Sequence, residues 1–281
     1  MKTNNPSVSI VVPTLGRKNE VYALLKSIIQ STVQPIEVII LDQNCSNILD
    51  DIIFDFKEQI NIKHVRVNFR GLSKARNYAI KYTTGEILMF PDDDCRIFSN
   101  TIGTALTVMN DTGTDVIFGK CIDEQGKDSI IKFSEKPSWL NLRNFEGKFI
   151  EATMFIKRQL LDNYSYDEGL GAGTFHGAEE GYDLVYRMLK NYIKMYYSPN
   201  VVFYHPQAFI DYNSPGAIHR VFSYRCGFGR VCMKHKLYWK LAKRFFKISM
   251  ALPFFFLLDR RKLRYYLSEC LGIVTGIVVK S

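Results

Sequence analysis

Apolar residues recur along the chain in two alternating rhythms. Val8, Ile10, Val11 and Val12 make a short β-branched run ending at Pro13, and between 17 and 30 the residues Val21, Leu24, Leu25, Ile28 and Ile29 return at helical spacing. The unit then repeats. A strand over 37–41 leads to a helix near 47–58, a strand over 62–67 to a helix near 72–82, and a strand over 86–90 to three consecutive aspartates. This alternation predicts an α/β fold: a Rossmann-like, mostly parallel sheet with right-handed crossovers, flanked by helices. Farther on the rhythm is less regular, with strands expected at 115–119, 149–156 and 200–204 and a helix at 178–191. The stretch 206–216, with Pro206, Asn213, Pro215 and Gly216, reads as a linker or loop.

Beyond that stretch the pattern changes. Lys236, Lys240, Lys243, Arg244 and Lys247 share one helical face, and Leu237, Leu241, Phe245, Ile248 and Leu252 share the other, so 236–252 is expected to form a basic amphipathic helix. The uncharged stretches 248–258 and 271–279 fall well short of the roughly 20 residues that cross a bilayer. The tail is therefore expected to lie on an anionic membrane surface, the competing reading being a helix that packs its apolar side on the rest of the protein. No motif for nucleic acid accompanies the basic residues, and none is expected as a partner.

Composition sharpens this division. The chain has 281 residues, 47% of them hydrophobic, enough to bury a full core. Its formal charge of +9 comes from 37 basic and 28 acidic side chains, yet residues 213–281 hold 14 of the basic and only 2 of the acidic ones. Residues 1–212 are thus slightly acidic, and the excess positive charge belongs to the tail. The six cysteines, Cys45, Cys95, Cys121, Cys226, Cys232 and Cys270, show neither a C-x-x-C pair nor a disulfide-scaffold spacing. They read as reduced thiols; Cys226, Cys232 and His235 are too loosely spaced to predict a metal site. The polar start, residues 1–6, lacks a signal-peptide pattern. Together these features predict a cytoplasmic protein, peripheral on the inner face of the cell membrane.

In doubly wound sheets ligands bind outside the carboxyl ends of the strands. Pro13-Thr14, Asp42-Gln43-Asn44, residues 68–71 and Asp92-Asp93-Asp94 all fall there. The triplet offers oxygens in a D-x-D spacing suited to a divalent ion, although alone it is equally an acidic turn or a helix cap.

Four blocks settle the context. Val8-Ser9-Ile10-Val11-Val12-Pro13-Thr14, Val38-Ile39-Ile40-Leu41-Asp42-Gln43-Asn44, Gly71-Leu72-Ser73-Lys74-Ala75-Arg76-Asn77 and Gly85-Glu86-Ile87-Leu88-Met89-Phe90-Pro91-Asp92-Asp93-Asp94 resemble, in order and spacing, the family 2 glycosyltransferases of GT-A fold. The resemblance covers about 7–205 and implies a GT-A domain over 1–212, with a nucleotide-binding half (1–114) and an acceptor half (115–212), followed by the tail over 213–281. It implies that Pro13, Thr14 and Asp42 meet the base and ribose of a nucleotide-sugar donor, usually a uridine, and that Arg76 lies near the nucleotide or its phosphates. Gln43 stands where the family often has a second Asp. Within the triplet, Asp92 would face the ribose side and Asp94 the metal, Mn2+ or Mg2+, with Asp93, on the nucleotide side, the least essential of the three; His205 takes a position where related enzymes often carry a histidine near the metal or diphosphate. The segment Ala178-Glu179-Glu180-Gly181-Tyr182-Asp183-Leu184 resembles the family's acidic pair at a helix start, with one residue more before Asp183. Glu180, or else Glu179, would then be the general base of an inverting transfer. The glycine-rich approach 169–173 would let a loop pack closely on a ligand, and Trp139 and Asp167 are candidates to border the acceptor pocket.

What the resemblance implies is sugar transfer from a nucleoside diphosphate to a glycan or lipid-linked acceptor in surface-polysaccharide synthesis. Two other classes compete. A nucleotidyltransferase on a similar sheet would need a glycine-rich triphosphate loop, and Pro13-Thr14-Leu15-Gly16-Arg17-Lys18 has one glycine. A non-catalytic membrane adaptor would have no use for the retained carboxylates.

Overall fold

The computed structural model describes residues 6–207, 211–212 and 214–279. The polar start at 1–5, the centre of the expected linker at 208–210, Asn213 within it, and the last two residues lie outside the described residues. The chain divides into two compact units, the first made of 1–69, 75–165 and 184–208, the second of 70–74, 166–183 and 209–281.

The first unit is built on one nine-stranded sheet. Its strands are β1 (Val8–Thr14), β2 (Glu37–Asp42), β3 (Ile62–Arg66), β4 (Ile87–Met89), β5 (Arg96–Ile97), β6 (Val116–Ile122), β7 (Ser138–Trp139), β8 (Phe155–Lys157) and β9 (Met195–Tyr204), in the order β3-β2-β1-β4-β8-β6-β9-β5, with β7 beside β9. The first four strands run parallel, as their alternation with helices α1 (Asn19–Ile29), α2 (Asp50–Phe56) and α3 (Leu72–Ile80) requires. The direction reverses where β8 lies antiparallel to β4. Ile10, Val12, Ile39, Leu41, Leu88, Phe118, Phe155 and Phe203 are fully buried in the sheet, and Leu24, Leu25 and Ile28 of α1 are buried at the helical spacing the sequence showed.

Glu37, 1% exposed at the start of β2, closes the opposite end of the sheet. Its carboxylate accepts from Ser9 Oγ at 2.6 Å, Thr84 N at 2.5 Å and Lys63 Nζ at 2.5 Å, while Ser9 Oγ accepts from Gly85 N at 2.9 Å. A Cβ on Gly85 would lie 2.6 Å from Ser9 Oγ, so only glycine fits there. Burial alone would raise this carboxyl; the bonds from Lys63, Ser9 and Thr84 outweigh it and hold the group at about 2.

Several boundaries differ from expectation. β1 runs through Pro13 to Thr14, because β4 pairs with it only at Val8–Ile10 and leaves the proline's missing N–H unneeded. The strand expected at 149–156 is a 3-10 turn, Glu151–Thr153, followed by the short β8; Thr153 Oγ1 donates to Ile150 O and accepts from Gly119 N, which bends the chain there. Helix α4 (Thr101–Thr112) lies where the sequence offered a helix only in the alternative reading of the triplet as a cap, and the helix expected at 178–191 is α5 (Glu180–Lys190).

The second unit contains α6 (Pro215–Lys234), α7 (Tyr238–Leu258) and α8 (Arg260–Val278). The basic helix expected over 236–252 begins two residues later and continues through Pro253. Glycines let α6 and α8 approach closely: a Cβ would meet Phe222 O at 2.4 Å from Gly272, Cys226 O at 2.0 Å from Gly276 and Ile273 O at 2.4 Å from Gly229. Buried Glu269 of α8 joins all three helices, accepting from Arg244 Nε at 2.7 Å and pairing with Arg225 Nε at 2.6 Å. Among the described residues no helix is long and apolar enough to cross a membrane.

Candidate active site

Parallel register aligns the first predicted residues at the carboxyl ends of the strands. Thr14 stands opposite Asp42, and Asp42 opposite Arg66. Asp42 is fully buried: one carboxylate oxygen accepts from Asn44 N at 2.9 Å and Asn44 Nδ2 at 2.7 Å, and the other lies 2.9 Å from His64 Nε2. Next to it, Val67 N donates to Asp42 O at 3.0 Å, and a cleft of about 500 Å³ is lined by Arg66, Val67, Asn68, Phe69 and Tyr78. A second cleft, bordered by Lys127, Asp128 and Gln207, holds none of the predicted residues.

Past β4 the chain turns at Pro91 and presents the triplet. Its carboxylates are held by Thr14, Arg17 and Arg76. Thr14 Oγ1 donates to Asp93 Oδ2 at 2.7 Å; Arg17 pairs with Asp93 at 3.0 Å and also with Asp94. Burial pushes the Asp93 carboxyl up to about 6, against the opposing pull of Thr14 and Arg17. Arg76, 1% exposed on α3, bridges Glu151 at 2.7 Å and Asp92 at 3.2 Å. The sequence placed Arg76 near the nucleotide or its phosphates; its guanidinium is here held by carboxylates, one of them in the triplet. Arg17 and Glu151 were not marked. Arg17 follows Thr14 by three residues in the β1–α1 turn, which is a readable signal, whereas Glu151 comes from a distant turn and leaves none.

Asp92, Asp94, Cys95 and His205 bring one ligand atom each to within 4.8 Å of one another. Two observations favour a cation there. Asp94 Oδ1 is buried without a hydrogen-bond partner, 3.5 Å from His205 Nε2. His205 Nδ1 lies 2.7 Å from Pro206 O and donates there, which leaves Nε2, 4.0 Å from Asp92, as the ring nitrogen that could bind an ion. Cys95 is the poorest donor of the four, since burial, then Asp92, hold its thiol well above the ordinary range. Two carboxylates and an imidazole suit Mn2+ or Mg2+.

Glu179 and Glu180 fall in the second unit. Glu179 takes φ +73°, a left-handed conformation costly for a side chain with a Cβ, and Glu180, buried, opens α5. Gly171, at φ +101°, makes room beside it: a Cβ there would lie 2.9 Å from Ser73 Oγ and 3.1 Å from Glu180 Cδ. The surrounding segment 166–183 is fastened to α6. Gly177 N donates to Ser223 O at 3.0 Å, and Ser223 Oγ donates to Phe175 O at 3.1 Å. Asp183, fully buried, accepts from Lys234 Nζ at 2.7 Å and lies 2.8 Å from His235 Nε2. Asp167 accepts from the same Lys234 at 2.7 Å and pairs with Arg230 at 3.4 Å; burial alone would raise this carboxyl, and these cations hold it below its usual value. Trp139, half-exposed on β7, packs edge-on against Tyr196 in the first unit. Cys226 and Cys232 are buried apolar contacts.

Known proteins resemble this chain in sequence and in fold. A GalNAc(5)-diNAcBac-PP-undecaprenol beta-1,3-glucosyltransferase of Campylobacter jejuni is 27% identical over 186 residues, 62% of this chain and 57% of its own length. The poly(ribitol-phosphate) beta-N-acetylglucosaminyltransferase TarS of Staphylococcus aureus is 26% identical over 42% of this chain, and the match spans only 22% of TarS. Crystal structures of S. aureus TarS superpose over 96% of this chain, with a TM-score of 0.61 at 17% identity for the fragment 1–349, which is covered to 90%. The mannosyltransferase PcManGT of Pyrobaculum calidifontis, in complex with GDP-Man and Mn2+, superposes with a TM-score of 0.56 at 17% identity over 98% of this chain and 74% of its own. The fold is therefore that of GT-A glycosyltransferases, with a helical appendage at its end. The description Glycosyl transferase family 2 matches residues 9–164, the segments that carry Thr14, Asp42, Arg76 and the acidic triplet, and with more than half of its length so matched the chain belongs to that family.

Proposed function

We propose that the protein transfers a sugar, with inversion, from a UDP-linked donor to a hydroxyl of a lipid-linked glycan at the inner face of the cell membrane, in the synthesis of a surface polysaccharide. The observation that carries this reading is the convergence of Asp92, Asp94 and His205 around a carboxylate oxygen that has no hydrogen-bond partner. These three would hold Mn2+ or Mg2+, and the bound ion would supply positive charge to a leaving diphosphate. Pro13, Thr14 and Asp42 receive the nucleoside, Asp93 orients Thr14, and Arg76 acts by fixing Asp92. Glu180, or its neighbour Glu179, takes the proton from the acceptor hydroxyl while the new bond forms at the anomeric carbon and the bond to the diphosphate breaks. Support for the donor comes from TarS, solved with UDP-GlcNAc and with UDP, and for the acceptor from the undecaprenol-linked substrate in the name of the Campylobacter relative.

Calorimetry with UDP, with and without Mn2+, tests the reading. Wild-type protein binds UDP at least about tenfold more tightly with the ion, and Asp94→Ala loses that gain while binding metal-free UDP as before. An Asp94→Ala protein with an undiminished Mn2+ effect would refute it.

A further inference from the structure

The five apolar residues expected to face away from the lysines of α7 are not available to a partner. Leu237, Leu241, Phe245, Ile248 and Leu252 pack with Phe228, Cys232 and Ile273 in the core of the helical unit. A different stripe is exposed. Trp239, Phe246, Met250 and Leu257 follow one another at intervals of seven, four and seven residues, on the side of α7 opposite that core, and are 81%, 67%, 66% and 80% exposed. α8 repeats the pattern with Leu267, Leu271, Val274 and Val278, all exposed on the side opposite buried Glu269, Gly272, Ile273 and Gly276.

Charge selects the occupant. Exposed Lys243 and Lys247 border the α7 stripe, and exposed Arg260 and Arg264 precede the α8 stripe on the same helical side. The helical segment 214–279 has only two acids to answer them: Glu269 is buried between Arg225 and Arg244, and Asp259 caps α8 and pairs with Arg261. A second copy of this surface would bring like charges together, whereas a bilayer with anionic headgroups offers apolar depth below and negative charge at its rim. An indole at one end of the stripe suits that boundary.

We infer that the α7 stripe of Trp239, Phe246, Met250 and Leu257, with the α8 stripe of Leu267, Leu271, Val274 and Val278, inserts into the interface of an anionic phospholipid membrane. This deepens the membrane setting proposed above, but it concerns binding alone and is measured without sugar donor or metal, so its failure leaves the transferase reading standing. The full chain carrying Trp139→Phe, in which Trp239 is the one remaining tryptophan, is mixed with vesicles of phosphatidylcholine alone or with phosphatidylglycerol. The expected result is sedimentation with the anionic vesicles at least about tenfold stronger than with the neutral ones, a blue shift of Trp239 emission and quenching by brominated acyl chains. Phe246→Ser with Leu257→Ser, at exposed positions that leave the fold intact, weakens binding by about tenfold or more. Lys243→Gln with Lys247→Gln removes much of the anionic preference. Trp239 emission that ignores vesicles, or a dimer that already shields Trp239 without lipid, overturns the inference.

Discussion

Single residues in this protein are fixed by what a neighbour would otherwise occupy. Gly171 is the clearest case: its φ of +101° excludes an ordinary side chain, and the volume it leaves is taken by Ser73 and by the Glu180 carboxylate. Gly171→Ala is expected to displace that carboxylate, lowering kcat roughly 10- to 100-fold while leaving UDP affinity unchanged; steady-state kinetics beside calorimetry will show whether the two separate. The acidic triplet shows what a residue-level reading can and cannot recover. Asp92, Asp94 and His205 were legible because motif spacing and strand ends placed them, and they do converge. Arg17 stood in a readable place, three residues after Thr14, and was passed over; Glu151 was not legible, because a partner brought in by tertiary folding leaves no mark at its own position.

At the scale of elements, the alternating rhythm named β1, α1, β2, β3, α3 and β4 with errors of a few residues at their ends. It gave 213–281 as a helical tail without resolving α6, for a physical reason. Gly227 and Gly229 depress helix propensity by about 1 kcal/mol each, yet they are what the packing demands, with Ala178 O and Ile273 O each 2.4 Å from a would-be Cβ. Glu37 gives a second element-scale expectation. Its carboxyl sits at about 2 in the fold against an ordinary 4.5, so its contribution is complete above about 4.5 and is lost as pH falls from there towards 2. Glu37→Gln should cost on the order of 3 kcal/mol at pH 7. Urea unfolding of both proteins across that range should show their stabilities converging as the acid end is reached; a constant gap would mean that packing, not charge, is what Glu37 supplies.

Taken whole, the molecule divides its chemistry between two compact units, the acidic cluster in one and the glutamate pair in the other. Variants should divide in the same way. Lys234 holds Asp167 and Asp183 together, so Lys234→Ala is expected to loosen the segment bearing Glu179 and Glu180, lowering turnover about tenfold or more with Mn2+-dependent UDP binding intact. Parallel loss of binding and turnover would show instead that the two units fail together. The tail looked separable in the sequence because its charge is so different from the rest, and that contrast concealed how much of the 166–183 segment it supports.

The fastening of that segment to α6 has a geometric corollary. Ser223, Lys234 and His235 fasten the segment bearing the carboxylate pair to the unit whose outer stripes are proposed to meet lipid, so a base there would stand at a set height above the bilayer. Such an enzyme would measure as well as recognise: an acceptor whose hydroxyl sits one sugar too near to or too far from its lipid would be out of reach, whatever its stereochemistry.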